Sequence, residues 1–87
     1  MSSQEPMTSS RARLRAALTR TLDLPEGYDL TLASYRTTPG WDSVAHMQLI
    51  SALEDEFSVM LETADVLALS GWDQAVQILS RHGIEFD

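Results

Sequence analysis

Asp42 and Ser43, in the segment GWDSV at residues 40–44, are the residues whose types and spacing are best suited to chemistry. Asp is a good N-cap, so Ser43 is expected on the first turn of a helix with its hydroxyl facing water. A helix N-terminus presents free N–H groups and a partial positive charge, which stabilise an attached phosphate. Taken alone, Asp-Ser-Val is more simply an ordinary helix start, and its context has to decide between the two interpretations.

Other reactive side chains offer less. Ser43 and His46 lie three residues apart on one helix face, but the sequence has no nucleophile elbow and no glycine-lined oxyanion site, so hydrolase chemistry is rejected. His46 and His82 do not form a metal-ligand pattern and are predicted to be surface residues, and no metal site is expected. The sequence contains no cysteine, which excludes disulfides and thiol catalysis and favours a reducing cytoplasm.

Hydrophobic periodicity predicts three main helices and one short one. The first is capped by Ser9 or Ser10 and runs to about Leu22, and the second spans residues 43–57. The third covers about residues 63–69 with Thr63 as its cap, and the fourth is capped by Ser70, with Asp73 completing a capping box and Gly83 as its stop. Their predicted buried faces are Leu14, Ala17, Leu18 and Leu22; then Val44, Met47, Ile50, Leu53 and Phe57; then Trp72, Ala75, Val76 and Leu79.

An 18-residue connection, residues 23–40, separates the first two helices. It has no partner strand elsewhere in the sequence, so we expect an ordered loop, with room for a short helical turn, rather than a strand. Its expected apolar anchors are Leu24, Leu30, Leu32 and Tyr35. Met47 and Met60 are interpreted as core filler. Trp41 could either shield a group on Ser43 or pack on this loop.

The formal net charge of −7 is unevenly distributed along the 87 residues. Residues 1–20 hold four arginines against one acid (net +3), and the remainder holds two arginines against twelve acids (net −10). An acidic body repels phosphate backbones, so nucleic-acid binding is not expected, and the arginines are interpreted as a solvated helix face drawn to the protein's own acids. The sequence has no long apolar stretch and no signal-like N-terminus, so neither membrane insertion nor secretion is expected.

Three acids, Glu54, Asp55 and Glu56, end the second helix, where they oppose the helix dipole. They are interpreted either as a docking site for positively charged partners or as a merely solvated end. Reversal of Glu54 and Asp55 to Lys is expected to slow recognition without loss of stability. The candidate docking residues are Val44, Gln48, Glu54 and Asp55.

The chain from about residue 11 to residue 82 resembles an acyl carrier protein. The resemblance rests on an acidic helical domain with a long first loop and on GWDSVAHMQLISALEDEF, residues 40–57, in which Asp-Ser-aliphatic opens the second helix and an acidic run precedes Phe. It implies an all-α, acyl-carrier-like four-helix bundle. Residues 1–8 are predicted to form a disordered tail whose deletion leaves stability nearly unchanged, and residues 9–87 to form the carrier domain.

The resemblance also implies a function. In this family the motif serine, here Ser43, is esterified by 4′-phosphopantetheine from coenzyme A, and Asp42 is the motif acid. The protein would then be a monomeric, non-enzymatic phosphoprotein served by a phosphopantetheinyl transferase and by acyl-loading and acyl-accepting enzymes.

Three departures refine this expectation. Where fatty-acid carriers have acids early in the second helix, this sequence has Ala45, His46 and Gln48. The Trp41 that precedes Asp-Ser resembles discrete carriers of secondary metabolism such as polyketide biosynthesis. Peptidyl carriers more often have Gly-Gly-His/Asp-Ser at this point. Three alternatives stay open: an aminoacyl or peptidyl carrier, an unmodified adaptor with the carrier fold, and a small DNA-binding domain led by the Arg-rich helix.

Overall fold

The computed structural model describes residues 9–25 and 27–86. Within these ranges the chain forms four α-helices, α1 (Ser10–Leu22), α2 (Ser43–Phe57), α3 (Thr63–Ala68) and α4 (Trp72–Arg81), and a short 3₁₀ turn at Leu30–Leu32. The only β pairing among these residues is one isolated bridge between Ser34 and Gly71. The predicted all-α class is therefore confirmed. The predicted tail, residues 1–8, lies outside the described residues.

None of the described helices has both the length and the apolar character needed to cross a bilayer.

The bounds of α1 and α2 match the predicted ones because both helices begin at a strong side-chain cap. The Ser9 hydroxyl accepts a hydrogen bond from the Ala12 N–H at 3.1 Å, and the Asp42 carboxylate accepts one from the Ala45 N–H at 2.9 Å. Each satisfies a backbone donor that the first helical turn leaves free.

The two later helices begin differently from the prediction. The cap of α3 is Glu62 rather than Thr63, and Asp65 accepts a hydrogen bond from the Glu62 N–H at 3.1 Å. The cap of α4 is Gly71, so the predicted Ser70 cap with its Asp73 capping box is wrong. The cause is distant in sequence: the Ser70 carbonyl accepts a hydrogen bond from the Tyr35 N–H, which keeps the chain extended through Gly71. Gly83 follows the end of α4, as predicted, and has a φ of 93°.

The core lies between α1, α2 and α4, and α1 buries the four residues predicted for it. In α4 Trp72, Ala75 and Leu79 are buried as predicted, Val76 is half-buried, and Ile78 is also part of the core. In the long loop Leu24 and Leu30 are buried and Tyr35 is half-buried, but Leu32 is 75% exposed. The 3₁₀ turn explains this, because it directs Leu30 inward, and Ala33 takes the next core position.

The buried stripe of α2 differs from the predicted one. Val44 and Met47 are 68% and 54% exposed, and the helix instead buries Ala45, His46, Leu49, Ile50, Leu53 and Phe57. Met60 is 81% exposed, so the interpretation of Met47 and Met60 as core filler is wrong. Apolar residues occupy most of the circumference of the first turns of α2, so spacing alone permits two overlapping stripes. The packing of α1 selects the second.

Arg13 ties α1 to the acidic end of α2. Its guanidinium forms a salt bridge with Glu56 at 2.8 Å, donates to the Glu56 carbonyl, and lies 4.6 Å from the centre of the Phe57 ring. At Arg13 the expected attraction to the protein's own acids is therefore observed, although this residue is half-buried rather than solvated.

Helix α3 contains no fully buried residue; Val66 packs against the core, and two histidines make polar contacts with the helix. His46 of α2 bonds the Val66 carbonyl at 2.8 Å, and His82, after α4, bonds the Asp65 carboxylate at 2.9 Å. The hydrogen bond from His82, followed by that from the Glu62 N–H, holds the pKa of Asp65 below its usual value. His46 is buried and His82 is half-buried, so the prediction that both histidines lie on the surface is wrong for His46.

Candidate functional site

The candidate site is the N-terminus of α2. Asp42 caps the helix through its carboxylate, and its carbonyl accepts the His46 N–H at 2.8 Å. Ser43 is the first helical residue and its side chain is exposed. Both predictions, the capping role of Asp42 and the water-facing position of Ser43, are confirmed. The first-turn N–H groups and the positive end of the helix dipole favour an anion at this hydroxyl.

The segment before the helix fixes where Ser43 emerges. Gly40 has a φ of 88°, and a Cβ built there would lie 2.9 Å from the Leu22 carbonyl oxygen, so this turn both favours glycine conformationally and leaves no room for a side chain. Trp41 follows in the core at 1% exposure, and its backbone N–H donates a hydrogen bond to the Thr38 carbonyl at 3.1 Å. Ser43 therefore lies two residues after Trp41, a buried side chain that anchors this segment in the core. Of the two roles considered for Trp41, packing beneath the loop is the one observed.

His46 is the largest correction to the predicted site. It is 7% exposed, its Nδ1 accepts the Trp41 indole N–H at 3.0 Å, and its Nε2 bonds the Val66 carbonyl at 2.8 Å. Since a carbonyl only accepts, Nε2 carries the proton and the ring is the neutral tautomer with Nδ1 free to accept. With both ring nitrogens engaged, His46 makes no hydrogen bond to Ser43.

Tyr35 is a site residue, although the sequence predicts for it only a role as an apolar anchor of the loop. Its hydroxyl lies 3.3 Å from Ser43 Oγ, the one side-chain hydrogen-bond contact of that oxygen among the described residues. The Tyr35 ring lies 4.7 Å from the His46 ring and 6.3 Å from the Trp41 ring, centre to centre. We call Tyr35, Trp41 and His46 the aromatic platform, because together they support the surface at Ser43.

A shallow groove of about 480 Å³ runs along α2 from Ser43. It is lined by Ser43, Val44, Met47, Gln48 and Ser51. The groove has no charged side chain in its lining, and exposed Val44 and Met47 make it largely apolar. Two of the predicted docking residues, Val44 and Gln48, therefore lie beside Ser43.

The other two predicted docking residues lie far along the same helix. Asp55 is exposed and twelve residues from Ser43, about 18 Å along the helix axis. Glu54 accepts the Leu61 N–H at 2.9 Å, and Glu56 is paired with Arg13. Two of the three late acids thus have structural partners inside the domain.

Two further features bear on alternative sites. A groove of about 650 Å³ lies between α1 and the long loop, but it shares no residue with the Asp42–Ser43 site. Among the described residues no three His, Cys, Asp or Glu side chains are grouped so that they could hold a metal ion.

Comparisons of the chain with protein-family models, curated proteins and solved structures gave no match.

Proposed function

We propose that this protein is a discrete acyl carrier in which the Ser43 hydroxyl is esterified by 4′-phosphopantetheine. The observation that carries the proposal is the position of Ser43: an exposed hydroxyl on the first residue of a helix that Asp42 caps from the preceding position. This arrangement joins the family's sequence motif to a local geometry suited to a phosphate ester.

The residues around Ser43 fit the group. The hydroxyl is exposed to a modifying enzyme, and among the described side chains its hydrogen-bond contact is with the Tyr35 hydroxyl. The first turn of α2 contains no acid, and the neighbouring Asp42 carboxylate accepts a hydrogen bond from the Ala45 N–H as the helix cap. The adjoining groove offers an uncharged surface for whatever approaches Ser43.

When bound, the group supplies a thiol that carries an acyl chain as a thioester. The chain itself has no cysteine, so Ser43 provides the point of attachment and the fold holds it at the surface. Among the described residues no basic side chain bonds Ser43, and His46 is committed to Trp41 and Val66. These features support a carrier on which partner enzymes act, rather than an enzyme.

The cargo and setting follow from the sequence motif. We propose an acyl rather than an aminoacyl cargo, in cytoplasmic secondary metabolism of the polyketide type, with a phosphopantetheinyl transferase and acyl-loading and acyl-accepting enzymes as partners of a monomer. The absence of charge from the groove beside Ser43 supports partners other than those that recognise an acidic early second helix.

An unmodified docking adaptor is the second candidate. The exposed apolar pair Val44 and Met47 favours it, since this surface would serve docking with or without a group on Ser43. The two functions differ in one chemical respect, because only the carrier acquires a thiol.

Thiol titration separates them. The purified protein is incubated with coenzyme A and a broad-specificity phosphopantetheinyl transferase, freed of small molecules, and treated with a chromogenic disulfide. Because the sequence contains no cysteine, every thiol detected comes from the attached group. We expect one thiol per chain. No thiol in a folded protein would favour the adaptor.

A further inference from the structure

Two backbone hydrogen bonds hold Tyr35 in place, although it lies in the long loop. Its own N–H donates to the Ser70 carbonyl at 3.0 Å, and the N–H of the next residue, Arg36, donates to the Trp41 carbonyl at 2.9 Å. The first bond ties the loop to the start of α4, and the second ties it to the residue before Asp42. The Tyr35 backbone is therefore fixed relative to the start of α2.

The ring of Tyr35 is also supported. It lies 4.7 Å from the His46 ring at an interplanar angle of 35°, within the range of attractive aromatic pairs. His46 is a rigid support because hydrogen bonds to Trp41 and Val66 hold both of its ring nitrogens. The phenol is thus directed at Ser43 by a buried network that spans the loop, α2 and α3.

The contact between the two hydroxyls is long. The 3.3 Å between Tyr35 Oη and Ser43 Oγ exceeds the usual 2.7–2.8 Å of an O–H···O bond, so it orients the serine without tying it up. Esterification would remove the Ser43 proton and place negatively charged phosphate oxygens next to Oγ. A phenolic O–H donates more strongly to such an oxygen than to a neutral hydroxyl.

From this geometry we propose that Tyr35 is a positioning residue for Ser43. It orients Oγ before modification and donates a hydrogen bond to the phosphate afterwards. This inference rests on the proposed function. In the transfer, the Ser43 Oγ–P bond forms as the P–O bond of the coenzyme A pyrophosphate breaks, adenosine 3′,5′-bisphosphate leaves, and the serine proton passes to a base of the transferase. Tyr35 takes no part in that proton transfer.

The test uses Tyr35→Phe, which keeps the ring on the aromatic platform and removes only the hydroxyl. Tyr28→Phe is the matched control, because Tyr28 lies in the same loop and its hydroxyl contacts Thr38 Oγ1 at 3.4 Å instead of Ser43. Circular dichroism establishes that both variants are folded.

Three readouts are compared with the wild type. In the unmodified protein, the Hα–Hβ coupling constants of Ser43 should move toward rotamer averaging in Tyr35→Phe alone. The initial rate of modification should fall about three- to tenfold, the range expected for one lost hydrogen bond, against less than about twofold for Tyr28→Phe. In the modified protein, the ³¹P chemical shift should change in Tyr35→Phe alone.

The outcomes are distinguishable. Wild-type protein that is modified, together with a Tyr35→Phe variant that matches it in all three readouts, overturns this inference and leaves the proposed function standing. Wild-type protein that is never modified overturns the proposed function and this inference together.

Discussion

The Trp41 indole N–H donates a hydrogen bond of 3.0 Å to Nδ1 of His46 in the core of the domain. The residue before the Asp-Ser motif is thereby joined to the second turn of α2, and through the Val66 carbonyl to α3. The start of α2 is therefore fixed by a buried polar network as well as by its cap, and this network places Ser43 and Tyr35 side by side.

The first prediction concerns that network. His46→Leu should lower the free energy of unfolding by about 2–4 kcal/mol, because the Trp41 indole N–H and the Val66 carbonyl each lose their hydrogen-bond partner. Gln48→Leu, the same polar-to-Leu change at an exposed position of α2, should change it by less than about 0.5 kcal/mol. Urea unfolding measures both. Equal effects would mean that the histidine hydrogen bonds contribute little.

Acid should loosen α3 through Asp65, which is the second prediction. The pKa of Asp65 is lowered in the folded protein by the hydrogen bond from His82 and then by that from Glu62, so this carboxylate stabilises the fold above its usual pKa and ceases to do so as pH falls through the lowered value. The difference in melting temperature between the wild type and Asp65→Asn should be widest near neutral pH and shrink below about pH 4.

Asp55→Asn is the control for this experiment, since Asp55 is exposed and its side chain makes no hydrogen bond to the described residues. We expect it to change the melting temperature little across the same range. A constant difference for Asp65→Asn at every pH would show that its ionisation does not stabilise α3.

The third prediction separates stability from docking at the end of α2. Glu54→Lys should lower the free energy of unfolding by about 1 kcal/mol, because the Leu61 N–H loses its acceptor. We therefore now expect unchanged stability only for reversal of Asp55, whose side chain has no such bond. Asp55→Lys should be as stable as the wild type yet be modified more slowly at low salt, with the difference closing as ionic strength rises.

Val44→Asn is the matched comparison. Val44 lies beside Ser43, and its replacement removes an apolar contact with the transferase that salt does not screen. Its modification rate should stay low at every salt concentration. If Asp55→Lys and wild type are modified at equal rates at low salt, Asp55 is only a solvated residue at the helix end, and the groove beside Ser43 becomes the better docking candidate.

Much of the fold could be predicted because its strongest signals are local. Asp42 and Ser9 act on backbone groups within three residues, so the helix starts that they define were found from sequence. Ser70 has the same local signal, but the pairing of its carbonyl with Tyr35, 35 residues earlier, overrides it. Capping rules cannot anticipate a competitor that arrives from another part of the chain.

The site was predictable only in part for the same reason. Ser43 and Asp42 follow from a local motif, whereas the contact of Tyr35 with Ser43 depends on the path of the loop. One usable signal was missed: a core Trp needs an acceptor for its N–H, and His46 lies five residues after Trp41, on the face of α2 that begins the buried stripe.

The attachment of phosphopantetheine to Ser43 is tested by the intact mass of the wild type and of Ser43→Ala after incubation with coenzyme A and a broad-specificity phosphopantetheinyl transferase. Ser51→Ala serves as the control, because Ser51 is an exposed serine lining the same groove of the same helix. We expect wild type and Ser51→Ala each to gain the mass of one phosphopantetheinyl group and folded Ser43→Ala to gain none. An unmodified wild type, or a Ser43→Ala variant that is still modified, would contradict it.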